Sequence, residues 1–180
     1  MSITIIRADV AHAANIATIG KKSFRNAFEH LFSNREELFE YLENTYDPVK
    51  LARSIRKENN VYFLAIDGVV PVGFVKLKKH SLNEHLESGA QMELQKIYVL
   101  PAYQHLGVGT ALMKEVRELT REIYPDHIWL DTHISNERAI RFYERNGFKK
   151  IGKHYFTIGT QTFEYHVMGM PVAFKIANAC

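Results

Sequence analysis

The sequence predicts a single α/β domain, and three observations carry that prediction. Helical spacing with clear start signals fills the first third of the chain. The hydrophobic period then changes to that of strands from Val61. Between Glu93 and Glu122 an apolar strand runs through a glycine turn straight into an amphipathic helix. The 180 residues are about one domain's worth, with no repeat, low-complexity tract or linker. A content of 46% hydrophobic and 12% aromatic residues is enough to fill one core. The core is expected over about residues 3–172, with 173–180 as a tail.

Taken in order, Ser2 to Arg7 alternates as a first strand. Asp9 caps a helix toward Phe28, along which Val10, Ala13, Ile16, Ala17, Phe24 and Phe28 recur near helical spacing. Asn34 followed by Glu37 reads as a capping box for a helix from Arg35 to about Asn44. Asp47-Pro48 starts another helix, to about Lys57. Val61 to Ile66 and Val69 to Lys78 form a hairpin through Asp67-Gly68, with Pro71 and Gly73 marking an edge or a bulge. Lys79 to Gly89 is a loop and Met92 to Val99 a strand. A helix from Val108 to about Glu122 and a strand from Ile128 to Thr132 follow. Asn136 caps a helix that ends at Asn146-Gly147. Phe148 to Ile158 and Thr162 to Met170 close the chain as a hairpin through Gly159.

Composition removes several function classes. Cys180 is the only cysteine, which rules out a disulfide framework within one chain and a cysteine-rich metal site. The nine histidines are scattered without metal-ligand spacing, so no metal is expected. Met1 to Arg7 lacks the basic start and apolar length of a signal peptide, and no run suffices for a membrane span. A cytoplasmic protein with no membrane partner is the expectation. No basic stripe with interleaved aromatics suggests nucleic acid. The net charge of +3 is unevenly spread. Glu29, Glu36, Glu37, Glu40, Glu43 and Asp47 face Arg35 alone in one stretch, which suits a cationic ligand there or simply a solvated acidic face.

The segment Gln104-His105-Leu106-Gly107-Val108-Gly109 lies between strand and helix. Its glycines allow a tight turn whose N–H groups converge at a helix N-terminus, where unpaired donors and the helix dipole favour phosphate. An ordinary strand–turn–helix joint is the plainer reading. Downstream come Ile128 to Thr132, then Asn136, then Phe142-Tyr143 with Gly147-Phe148. Together, in this order and spacing, these segments resemble the GNAT superfamily of N-acetyltransferases over roughly residues 61–170. The resemblance implies a mixed, mostly antiparallel twisted sheet of 6–7 strands with helices on both faces, and acetyl-CoA as cosubstrate.

It also implies site residues. The amides of His105, Leu106, Gly107, Val108, Gly109 and Thr110, introduced by Gln104, would cradle the CoA pyrophosphate. Ile97 and Val99 would pair with the pantetheine through their backbone, with Tyr98 on the opposite face. Asn136 would bond the pantetheine arm, cap its helix, or do both. Tyr143 matches the family's acid, a phenol of ordinary pKa near 10 that protonates the leaving thiolate; otherwise it is a packed aromatic. The thioester carbonyl would be polarised by the Val99 or Leu100 N–H. Glu93 is the candidate base, sharing a face with Gln95, Ile97 and Val99 if alternation is regular. Asp131 and His133 lie at the end of the next strand, near the expected cleft, and the family also works without a dedicated base.

The N-terminal helices would wall the acceptor site. Ser23 to Phe28, the acidic second helix with Tyr41 and Tyr46, and Asp47 to Leu51 resemble the PaiA-type polyamine acetyltransferases, which implies spermidine or spermine as acceptor. Phe28, Glu29, Glu37, Tyr46 and His133 are the candidate acceptor-binding residues, although aromatics at helical spacing also serve as core. The rival readings are a peptide, protein or amino-acid amine as acceptor, or a CoA-binding module without catalysis. A homodimer is left open.

Overall fold

In the computed structural model, which describes residues 2–172, seven strands form one sheet. They are β1 (Ile3–Arg7), β2 (Asn60–Asp67), β3 (Val70–Lys79), β4 (Gln91–Val99), β5 (His127–His133), β6 (Lys149–Ile158) and β7 (Gln161–Pro171). Their spatial order is β1-β2-β3-β4-β5-β7-β6, and every neighbouring pair is antiparallel except β4–β5. The helices are α1 (Ala13–Phe28), α2 (Arg35–Thr45), α3 (Pro48–Ile55), α4 (Val108–Ile123) and α5 (Glu137–Arg145). The expected tail at 173–180, with Cys180, lies outside the described residues. No helix among the described residues is long and apolar enough to cross a membrane.

Caps fix the helix starts where the sequence places them. Asp47 accepts from Lys50 N at 2.8 Å with Pro48 in the first turn, and Asn136 accepts from Ala139 N at 3.2 Å. Each such cap contributes about 1 kcal/mol. Asp9 caps a short 3₁₀ turn, Val10–His12, that leads into α1 rather than α1 itself. Asn34 caps α2, but the box is incomplete. The Glu37 carboxylate reaches instead across to the β6–β7 turn, where Thr160 donates to it from N at 3.0 Å and from Oγ1 at 2.9 Å.

Alternation along the central strands divides the core in two. Val61, Val75, Leu77, Met92 and Leu94 pack with Leu112 and Val116 of α4 and with Ile140 and Tyr143 of α5. Tyr62, Leu64 and Phe74 pack on the other face with Ile16 and Phe24 of α1, Leu42 of α2 and Leu51 of α3. Two bulges position the site. Val72 is the extra residue where Ala65 pairs with Gly73 but Ile66 with Pro71. Pro71 therefore sits at a break in the ladder of a central strand, not on an edge, and its missing N–H costs no regular bond.

The second bulge is at Gln95, because Lys76 pairs with Lys96 while Leu77 pairs with Leu94. It corrects the expected shared face of Glu93, Gln95, Ile97 and Val99. Glu93, between Met92 and Leu94, faces α1–α3 and so do Lys96 and Tyr98, whereas Ile97 and Val99 face α4. One inserted residue reverses the alternation.

Candidate active site

Strands β4 and β5 pair only from Gln91 to Glu93 against His127 to Trp129, then part. The gap opens into a continuous cleft of ≈ 1290 Å³ that passes from the α4–α5 side to the α1–α3 side. The β3–β4 register shows what β4 offers to this gap. The Leu100 N–H donates to Val72 O at 2.8 Å, which makes Val72–Leu100 a bonded pair. In an antiparallel ladder bonded and unbonded pairs alternate. The Gly73–Val99 and Val75–Ile97 pairs are then unbonded, and the N–H and C=O groups of Ile97 and Val99 point into the gap. The Leu100 N–H, one of two candidates to polarise a carbonyl, is thus committed to β3. The Val99 carbonyl accepts from Gln104 Nε2 at 3.1 Å, and Gln104 Oε1 accepts from Arg138.

At the mouth of the gap the turn before α4 holds His105 at φ 67° and Gly107 at φ 81°. The left-handed region is readily accessible to glycine and costly for histidine. These turns aim successive N–H groups into one concavity. Among the described residues, none of the amides from His105 to Thr110 donates to another group of the chain, and α4 begins without a side-chain cap. An anion with several oxygens fits that donor set. Gly109 leaves room, since a Cβ there would rest 3.6 Å from Phe142. The side chains of Gln104, His105 and Thr110 also line the cleft, while Val108 is core and Leu106 projects outside it. From α5, Arg138, Arg141 and Arg145 add positive charge to the lining.

Asn136 caps α5 through its oxygen, and its Nδ2 is left without a bond among the described residues. Tyr143 lines the cleft at the gap, 7% exposed between Phe142 and Phe148, and burial pushes its phenol well above 10. Glu93 lines the cleft and accepts from Ser81 Oγ at 2.8 Å. Asp131 lies beside it on β5. Its Oδ2 is 2.7 Å from His154 Nδ1, its Oδ1 is buried without a hydrogen bond, and burial raises its pKa against the opposing effect of His154.

The remaining candidates divide. Phe28 and His133 line the cleft, with their rings 6.0 Å apart. Ser135 N donates to His133 Nδ1 at 3.2 Å, which puts the proton of the neutral ring on Nε2. Burial, then His30, lowers its pKa. With its lone pair engaged, His133 is a wall rather than a base. Glu29 is exposed and outside the lining, and Glu37 is spent on the β6–β7 turn. Tyr46 is fully buried against Gly20, where even an added Cβ would meet its ring at 2.3 Å. Helical period alone does not say which aromatic faces a cavity and which the core.

Two residues the sequence reading missed stand at the centre of the α1–α3 side. Lys76 and Lys96 are directly opposed across β3 and β4, and both line the cleft. The signal for them is the bulge at Gln95, which no spacing rule exposes.

The acetyltransferase (GNAT) family model matches residues 23–148. An uncharacterized N-acetyltransferase of Lactobacillus delbrueckii subsp. lactis is 28% identical over 159 residues, 87% of this chain and 90% of that one. The spermidine N(1)-acetyltransferase of Thermoplasma acidophilum is 24% identical over 153 residues, 83% of this chain and 89% of its own. The fold is similar to that of the crystal structure of a PaiA N-acetyltransferase from Thermoplasma acidophilum in complex with coenzyme A. The TM-score is 0.78 at 21% identity, covering 96% of this chain and 100% of that one.

Proposed function

The chain belongs to the acetyltransferase (GNAT) family and is an acetyl-CoA-dependent N-acetyltransferase; from that premise we propose that its acceptor is a small free amine rather than a peptide. The observation that supports this reading is the tie between the segment leading into α2 and the β6–β7 turn, beside the α1–α3 side of the cleft. Gln161 of β7 bonds Leu31 O at 2.6 Å and Ser33 N at 3.1 Å, and Thr160 bonds Glu37. Behind this latch Phe32 packs on Phe163 at 4.8 Å, and His133 sits 5.9 Å from the same ring. A peptide acceptor needs a groove open along its length, whereas a small amine needs only a chamber.

Acetyl-CoA, when bound, supplies the thioester that the amine attacks. The amides from His105 to Thr110 would hold the pyrophosphate, and the free edge of β4 at Ile97 would pair with the pantetheine arm. The Val99 N–H polarises the carbonyl, and Asn136 Nδ2 bonds the arm. The amine must be neutral to attack. Glu93 and Asp131 are the carboxylates at the inner end of the chamber. Asp131 accepts the proton on Oδ1, which has no hydrogen bond among the described residues, while His154 holds the carboxylate through Oδ2. Tyr143 keeps its proton at neutral pH because burial disfavours the phenolate, and it delivers that proton to the departing sulfur.

A second reading, a polyamine such as spermidine or spermine, is supported by the Thermoplasma relative and by Glu93 and Asp131 facing the chamber. Glu29 and Glu37 lend it nothing from where they sit. The test is thiol release from acetyl-CoA with polyamines, amino acids, simple amines and peptides. Turnover with small amines and little with peptides is expected. Peptides outpacing every small amine would overturn the reading, and no release with any amine would favour a non-catalytic CoA-binding module.

A further inference from the structure

Lys76 and Lys96 occupy a costly position. They are cross-strand partners on β3 and β4, half-buried on the α1–α3 face, next to Glu93 in chain order on that face. Like charges directly opposed in a sheet destabilise it, and burial disfavours an ammonium. Both effects act here. Burial, then the neighbouring Lys96, pushes Lys76 down to about 8, and burial pushes Lys96 down to about 8, with Glu93 opposing in each case.

The chain compensates little of this. Lys76 Nζ lies 5.6 Å over the Tyr62 ring and Lys96 Nζ 5.5 Å over the Tyr46 ring. A ring face attracts a cation but accepts no conventional hydrogen bond from it as a carboxylate does. Among the described residues neither ammonium has a hydrogen bond or an ion pair. Glu93, the acid that couples to both, takes its hydrogen bond from Ser81. Lys50 of α3, also in the lining, adds a third cation to the same chamber. Two neighbouring ammoniums therefore present unused N–H donors to a space already shaped for a small ligand.

We propose that the Lys76–Lys96 pair anchors an anionic group, a carboxylate or a phosphomonoester, carried by the amine that is acetylated. The acceptor is then an amine with an anion at one end, its nitrogen toward Glu93 and Asp131 and its anion between the two lysines. This deepens the small-amine reading and rests on it. An anion supplies the missing acceptors and removes the repulsion between the lysines, and a burial that disfavours lone charges strengthens the paired ones. A polyamine brings further cations toward the two lysines, which repel them, with only Glu93 and Asp131 to attract them.

The test compares matched amines by thiol release from acetyl-CoA. Tyrosine against tyramine and lysine against cadaverine report a carboxylate, phosphoethanolamine against ethanolamine reports a phosphate, and spermidine is run beside them. The expected result is kcat/KM at least about tenfold higher for the anion-bearing member in one of the two arms. In Lys76→Met and Lys96→Met that advantage falls toward parity, mainly through KM. Lys96→Arg, which keeps the charge, restores part of it. Calorimetric acetyl-CoA affinity reports that each variant is folded. The inference is overturned if spermidine or the anion-free members are used as well as their partners, or if the Met variants keep the preference intact. Release with no amine at all, in a protein that still binds acetyl-CoA, overturns the small-amine reading and this inference with it.

Discussion

The two halves of the cleft are built from different materials. On the α4–α5 side the proposed groups are mainly backbone amides, those of His105 to Thr110 and of Ile97 and Val99, with Asn136, Tyr143 and the α5 arginines beside them. On the α1–α3 side the groups are side chains from many elements, among them Phe28, Lys76, Glu93, Lys96, Asp131 and His154. A backbone site tolerates sequence change wherever the turn survives. A side-chain site changes its ligand with one substitution. The fold can therefore keep one cosubstrate while its acceptor varies, which is why the family alone does not name the acceptor.

The largest effect is expected where the backbone half is physically filled. Gly109→Trp puts an indole into the turn beside Phe142 and should lower acetyl-CoA affinity by about 10²-fold or more, read by calorimetry, since several charge-assisted bonds of about 1.5–3 kcal/mol each are displaced. Unchanged affinity would show that the cosubstrate lies elsewhere. Next, Tyr143→Phe should lower kcat by about 10²-fold with acetyl-CoA affinity retained, the scale of general acid catalysis. Normal turnover would reduce Tyr143 to packing.

On the side-chain half, Asp131→Asn should lower kcat/KM by about tenfold. It should also flatten the acid limb of the pH–rate profile, because a base with a raised pKa gains activity only as pH rises past that value. Glu93→Gln with an unshifted profile beside it would assign the proton to Asp131; the reverse pattern would assign it to Glu93. The smallest effect concerns stability. Lys96 has a pKa of about 8 in the fold against an ordinary 10.5. Between those values the unfolded chain binds more protons, so stability rises with pH across that window and is lowest below it. Lys96→Met removes this burden and should raise Tm at pH 7 by about 2–4 °C, the shift that about 1 kcal/mol gives a domain of this size. It should also flatten the rise between pH 8 and 10.5. A lower Tm would mean that Lys96 stabilises the empty chamber.

The same division decides what was legible in the sequence. Glycines at 107 and 109, the caps Asp47 and Asn136, and the hairpin turns at Gly68 and Gly159 announce backbone geometry locally, so the elements and the tight turn before α4 can be read from spacing. The acceptor chamber cannot be read that way. The bulge at Gln95 reverses which β4 side chains face it, and Lys96 appears on the floor where simple alternation places no cation. Glu37 looks like half of a capping box because its partner Thr160 lies 123 positions away. Tyr46 follows an acidic helix as a binding residue would, yet the absence of a side chain at Gly20 draws it into the core.

The claim on which the rest depends is tested most directly by amide NMR during titration with coenzyme A. The largest shifts should fall on the backbone N–H groups from His105 to Thr110 and on Ile97 and Val99 along the free edge of β4. If those resonances stay in place while another part of the surface responds, the diphosphate is held somewhere else and the site described above is not where acetyl transfer occurs.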